Sequence, residues 1–186
     1  MRLLLTNHLI KCMKRFTIIL IFTLTLLQGK FVYADIREEL KNTARRVAQE
    51  DRAKEARRVY RLRVERITWY LVNRGSPLAP YTERIIKCSD SVGVRPELIV
   101  AIAGKESTFG KFTPKWNGES FNAWGWGVHQ QRSFTDWGDG ACTVARGLSQ
   151  NYEVGSIRKI AYKYAPPIEN DTEKWIADVT RFMKQI

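Results

Sequence analysis

The chain predicts a mainly α fold, and three observations carry that expectation. Apolar residues recur at helical spacing, as in "PELIVAIAGKESTFG", where Ile99, Ile102 and Ala103 fall at i, i+3 and i+4. No proline or glycine interrupts residues 35–74. No segment alternates apolar and polar residues as a strand would, apart from a short hairpin signal near Trp124 to Val128. With 186 residues, 44% of them hydrophobic, and six tryptophans, there is enough apolar surface for one ordinary core plus extensions.

The first element reads as a secretory signal peptide over residues 1–34. Lys11, Lys14 and Arg15 precede the apolar run Phe16 to Leu27, and Ala34 supplies the small residue before a cleavage site, with Val32 two positions earlier. The run falls short of the ~20 residues of a spanning helix. Lys30 keeps an uncleaved anchor as the alternative. Either reading exports the body of the protein to the periplasm, the extracellular space or the cell wall. Losing residues 1–34 removes five basic residues and no acid, so the net charge falls from +12 to about +7. A basic exported protein meets polyanions such as wall polymers and anionic lipid surfaces, although charge also serves plain solubility. Cys12 leaves with the signal. Cys88 and Cys142 remain, an even pair in an oxidising compartment that would close a loop of about 55 residues if joined. Two cysteines and His129 do not make a ligand cluster, so neither a metal nor a cofactor is expected.

Residues 35–74 read as one long charged helix, or two with a break near Asp51. Its apolar positions are sparse at Ile36, Leu40 and Val47 and denser at Val59, Val64, Ile67 and Leu71, so the first half should be solvated and the second packed. No heptad persists, which excludes a coiled-coil seam. Arg57, Arg58, Arg61, Arg63 and Arg66 lie on several faces, which with export argues for a solvated face and against nucleic acid. A membrane or envelope-complex partner docking on 35–74 is the other reading. "GSPLAP", Gly75 to Pro80, marks the edge of a working domain at 75–186.

Within that domain "YTERIIKCSDSVG" predicts a helix ending at Gly93. The next runs from Pro96, suited to a first turn, with Glu97 complementing the dipole, to Gly110. Residues 111–140 are rich in glycine, asparagine and tryptophan and too long for an idle connection. "ACTVARGLSQNY" and "SIRKIAYKY" are helical, "APPIEND" turns the chain, and "TEKWIADVTRFMKQI" closes it with Trp175, Ile176, Val179 and Phe182 on one face.

The chemical signal is Glu106, at i+7 of the stripe that Ile99 begins. A carboxylate there is costly unless paired or neutral, and desolvation favours the neutral, proton-donating form. Gly104 beside it marks close approach of a neighbour. A salt-bridged glutamate at a helix end is the bland alternative. Trp116, Trp124, Trp126 and Trp137 sit among glycines and amides rather than on a helical stripe, and such flat faces suit sugar rings. At least one of the four should be core, as should Trp175.

These residues carry a resemblance. "YTERIIKCSDSVGVRPELIVAIAGKESTFGKFTP" resembles the N-terminal part of lysozyme-like peptidoglycan glycosidases, and Glu106, Ser107 and Phe109 match the Glu-Ser-x-Phe helix end of soluble lytic transglycosylases. "GVHQ", Gly127 to Gln130, resembles the family's Gly-Leu-Met-Gln turn loosely, with Val128 and His129 substituted. Tyr164 or Tyr162 corresponds to its late tyrosine. "NAWG", Asn122 to Gly125, is similar to the Asn-x-x-Gly loop of related glucosaminidases. Over residues 80–186 the resemblance implies a lysozyme-like helical domain that cleaves β-1,4 bonds between MurNAc and GlcNAc. Glu106 would be the single general acid/base; Ser107, Asn122, Trp124, Trp126, Gln130 and Tyr164 would contact glycan strands. A transglycosylase needs only that one carboxyl, whereas a hydrolase often adds a second, for which Glu119, Asp136 and Asp139 are candidates. Departures at "GVHQ" keep open a non-catalytic wall-binding module on the same fold.

Overall fold

The computed structural model describes residues 2–116, 118–168 and 171–186, and among these it is mainly α, with six helices and no named strand. Helix α1 (Arg2–Val72) continues without the break near Asp51. Good helix formers such as Ala, Arg, Glu and Leu fill residues 35–72, and nothing in them removes a backbone hydrogen bond. Ile36, Leu40, Val47 and Val59 are exposed along it. The leader expected at residues 1–34 falls mostly on side chains outside the described ones. Among the described residues no helix is long and apolar enough to cross a membrane.

The chain divides into two units, Met1–Arg57 and Arg58–Ile186. The second begins inside α1, earlier than the Gly75 to Pro80 breaker at which the sequence places a domain edge. Packing explains the difference: Ile67, Tyr70 and Leu71 are buried in the core, as is Leu78 of the breaker itself. Ser76 Oγ donates to the Phe109 carbonyl at 2.7 Å, tying this turn to the interior.

Helix α2 (Thr82–Ser91) packs against α3 (Pro96–Ser107) and α4 (Trp137–Asn151), while α3 and α5 (Ile157–Tyr164) both pack on α6 (Thr172–Gln185). Helix α3 is the centre. Every residue from Pro96 to Gly104 is buried, so it is enclosed on all sides rather than amphipathic. The buried Glu97 is met by Arg66 at 2.8 Å, Arg95 at 3.7 Å and Arg63 at 3.8 Å, so its charge is not left alone in the interior. At Gly104 a Cβ would lie 2.5 Å from the Phe109 ring, which is the close neighbour its position predicts. That ring in turn meets Tyr70 and Phe182 edge-on.

The hairpin signal near Trp124 to Val128 is not a hairpin. Gly125 and Gly127 take φ values of 61° and 62°, and a 3-10 turn, Val128–Gln130, follows. Left-handed residues at alternate positions cannot hold a ladder. An isolated antiparallel bridge joins Lys115 and Glu119 instead.

Cys88 and Cys142 are joined, with Cα atoms 5.2 Å apart, and cross-link α2 to α4 over a separation of 54 residues. The paired variant Cys88→Ala with Cys142→Ala should lose about 4 kcal/mol of unfolding free energy, from the loop entropy restored to the unfolded chain. Urea unfolding of the two proteins side by side measures the difference.

Candidate active site

The site is built at the C-terminal end of α3. Thr108, Phe109 and Gly110 follow the helix in the left-handed region, at φ 50°, 60° and 83°. Two consecutive non-glycine residues there are strained by about 1–3 kcal/mol each, and persist only where neighbours fix them. The Phe109 N–H donates to the Ala103 carbonyl at 3.0 Å. Ser107 does the rest. Its Oγ accepts the Gly110 N–H at 2.8 Å and faces the carbonyls of Ala123, at 2.8 Å, and Ala103, at 3.0 Å, which share its one hydrogen. One buried hydroxyl therefore joins the last turn of α3, the reversal after it, and the loop that carries Trp124 and Trp126.

That junction places Glu106 in the last turn of α3, facing the loop. The residue is exposed rather than dry, but protein crowds the carboxyl on its remaining sides. The Trp175 indole N–H donates to Oε1 at 2.7 Å. A Cβ on Gly125 would come within 3.6 Å of Oε2, so the missing side chain leaves space beside that oxygen. Desolvation pushes the Glu106 pKa above the ordinary carboxylate value; the indole hydrogen bond and the Lys105 charge pull the other way without overcoming it. Lys105 is itself paired with Asp178 at 3.1 Å. Among the described residues the salt-bridged alternative is thus set aside: Glu106 takes an indole N–H, not a cation, as its direct partner.

Next to Glu106 lies a cavity of about 180 Å³ lined by Gly125, Trp126, Gly127, Tyr152 and Tyr164. Its rings pack tilted against one another, Trp126 with Tyr164 at 5.9 Å and with Tyr152 at 6.0 Å, and Tyr164 continues to Trp175 at 5.6 Å. Gly147 of α4 makes room for Trp126, because a Cβ there would sit 2.3 Å from the indole. The Tyr164 hydroxyl donates to the Trp124 carbonyl. Its pKa is held well above the usual tyrosine value by burial, with the Glu106 charge adding to the effect, so it remains a neutral donor.

Of the residues expected to touch sugar, Glu106, Trp126 and Tyr164 come together. Tyr162 is exposed on the other side of the choice and reaches Glu173 at 3.4 Å. Ser107, Asn122 and Trp124, expected as sugar contacts, are buried and engaged within the fold. Asn122 accepts the Trp126 N–H at 3.0 Å and donates to the carbonyls of Trp126 and Arg132, both at 3.0 Å. Trp124 is fully enclosed and donates its indole N–H to the Ile99 carbonyl at 2.9 Å, so it is the core tryptophan of the group. Trp137 is also core, stacked edge-on with Phe121. Gln130 is exposed in the 3-10 turn beside Gly127, with its amide oxygen 3.3 Å from where a Gly127 Cβ would be.

The candidate second carboxylates have structural work. Asp136 caps α4, accepting the Asp139 N–H at 2.7 Å, and pairs with Arg84 at 2.8 Å; these contacts hold its pKa below the usual range. Asp139 accepts the Thr135 N–H, and Glu119 the Thr113 hydroxyl. Tyr152 and the indole of Trp175 belong to the site although nothing in the sequence singles them out for it. Trp175 sits on a regular apolar stripe and is buried as that stripe predicts, yet its one polar atom reaches Glu106.

No family model and no curated protein matches the chain.

Replacing Trp175 with Phe removes the hydrogen bond that favours the Glu106 carboxylate. The Glu106 pKa should rise further, read by titrating its side-chain carboxyl carbon in a 13C-labelled protein. A fall instead would mean that the indole acts mainly by excluding water.

Proposed function

We propose that the protein is an exported peptidoglycan glycosidase of the lysozyme-like type, cleaving β-1,4 bonds in the glycan strand with Glu106 as its only acid/base. The observation that carries the reading is Glu106 itself: a solvent-exposed glutamate with a raised pKa, oriented by an indole, whose Oε2 lies beside Gly125, one of the residues that line a small aromatic-walled cavity. General-acid work near neutral pH calls for that combination of proton retention and access. Trp126, Tyr152 and Tyr164 offer flat faces for sugar rings.

The engagement of Asp136, Asp139 and Glu119 elsewhere favours the transglycosylase branch over hydrolysis. In that branch Glu106 donates its proton to the glycosidic oxygen as the C1–O bond breaks, and the substrate's own N-acetyl oxygen stabilises the cation. The resulting Glu106 carboxylate then takes the proton of the C6 hydroxyl as O6 bonds to C1, giving a 1,6-anhydro end and restoring the acid. No water is consumed. Gly125 leaves the space beside Oε2 that an approaching oxygen needs. Tyr164, neutral and tied to the Trp124 carbonyl, holds the loop against α5. The basic charge that remains after export favours residence on an acidic wall.

Glu106→Gln keeps the shape and the acceptor for Trp175 but removes the titrating proton. Digestion of purified peptidoglycan should fall by at least about a thousandfold in rate, within the range general acid–base catalysis supplies together with positioning. Wall binding should persist. Mass spectrometry of the wild-type digest should show ends lighter by one water than hydrolysed ones. A wild-type protein that binds walls and releases nothing would leave the non-catalytic binding module as the correct reading.

Stability moves in the opposite sense to activity. Folded Glu106 holds its proton more tightly than the unfolded chain does, so it costs stability above its folded pKa and nothing below the unfolded value. Glu106→Gln should therefore melt higher than wild type at pH 7. The gap should close as the pH falls below ~4, the unfolded carboxyl value; paired melting curves across that range check it.

A further inference from the structure

Trp126 lines two spaces. One is the cavity beside Glu106; the other is a groove of about 410 Å³ lined by Trp126, Arg132, Thr143, Arg146, Gly147, Gln150 and Asn151. We propose that this groove binds the carboxylates of a peptide substituent on the glycan, through Arg132 and Arg146; the proposal rests on the glycosidase reading above and names the form of substrate it takes.

The two arginines differ from the ion-paired arginines of the same unit. Arg63, Arg66, Arg84, Arg158 and Arg181 each meet a carboxylate at 3.0 Å or closer. Among the described residues neither Arg132 nor Arg146 has a carboxylate at ion-pair distance. Arg146 reaches the Thr143 hydroxyl at 3.4 Å, and the Arg132 guanidinium lies 5.5 Å from the Phe134 ring centre. Both are exposed at the lip of one groove, with their forked donors available.

Their roots are fixed relative to Trp126, the residue that the two spaces share. The Arg132 N–H donates to the Gly127 carbonyl at 3.3 Å, and its carbonyl accepts from Asn122, the same side chain that holds both backbone polar groups of Trp126. Arg146 precedes Gly147, the residue on which the indole rests. A sugar held against Trp126 in the cavity therefore lies close to a cationic groove that the same residue lines. Besides the cations the groove is lined by Gln150 and Thr143, an amide and a hydroxyl. Such groups satisfy the successive backbone N–H and C=O groups of a peptide chain, which an acidic peptide offers beside its carboxylates and which the glycan by itself supplies only as one acetamido group per sugar. A phosphate polymer would share the charge but not the need for amides.

The test uses the full chain carrying Glu106→Gln, so that ligands bind without turnover. Calorimetry compares three probes: a GlcNAc–MurNAc disaccharide bearing a tetrapeptide, the same disaccharide without peptide, and poly(glycerol phosphate). The peptide-bearing disaccharide should bind about tenfold tighter than the bare one, with the preference shrinking as salt rises. Adding Arg132→Gln and Arg146→Gln should make the two affinities equal. Equal affinities before the arginines are changed, or a preference that survives their loss, overturn the proposal. Tighter binding of poly(glycerol phosphate) than of the peptide-bearing disaccharide, abolished by the same changes, reassigns the groove to phosphate and also overturns it. The glycosidase reading is judged separately, by muropeptide release from walls with Glu106 restored.

Discussion

The buried hydroxyl of Ser107 is the point at which this site is assembled. Three stretches of chain converge on it: the end of α3, the left-handed reversal through Thr108 to Gly110, and the loop at Ala123. The reversal is unfavourable in itself, and the hydroxyl compensates by accepting one backbone donor and serving two carbonyls. With those bonds made, the residue just before the serine has a single way to point. It faces the loop and α6, and both its oxygens acquire neighbours.

What surrounds Glu106 follows from packing more than from charge. Trp175 is buried because its helix lays an apolar face on α3, and burial of the ring brings its N–H to the carboxyl as a consequence. Trp126 lies flat because Gly147 has no side chain to lift it. Tyr164 is drawn in by the aromatic cluster and its hydroxyl finds the Trp124 carbonyl. Crowding on these sides removes water from around the carboxyl while its open side remains wetted, which is why its pKa rises although solvent reaches it. A group sealed completely would be a stronger acid-keeper and a useless one, since no sugar oxygen could approach.

Much of the helical plan was legible because it depends on local periodicity. The stripe of Trp175, Ile176, Val179 and Phe182 and the proline and glycine limits of α3 needed no knowledge of partners. The same reasoning did not show that Ser107, Asn122 and Trp124 are bonded within the fold. Amides, hydroxyls and aromatic rings are the residues that bind sugars, and they are equally the residues that clamp an irregular loop from within. Side-chain chemistry alone does not separate the two uses. Gly75 to Pro80 is ambiguous for a related reason: breaking a helix and ending a domain leave the same residues behind, and here Leu78 of the break is buried.

By itself the sequence determined that the chain is mainly helical, that Glu106 interrupts an apolar helix, that Gly104 must be crowded, and that Cys88 and Cys142 form an even pair. Each of these rests on covalent order, spacing or composition, which folding does not alter. The tertiary structure alone decided which tryptophan faces the cavity, that Trp175 touches Glu106 across 69 residues, and that Asp136 and Asp139 are occupied at a helix cap. Those outcomes depend on distances between segments remote in the chain. Such distances arise only when the core closes and every polar group within it has to find a partner.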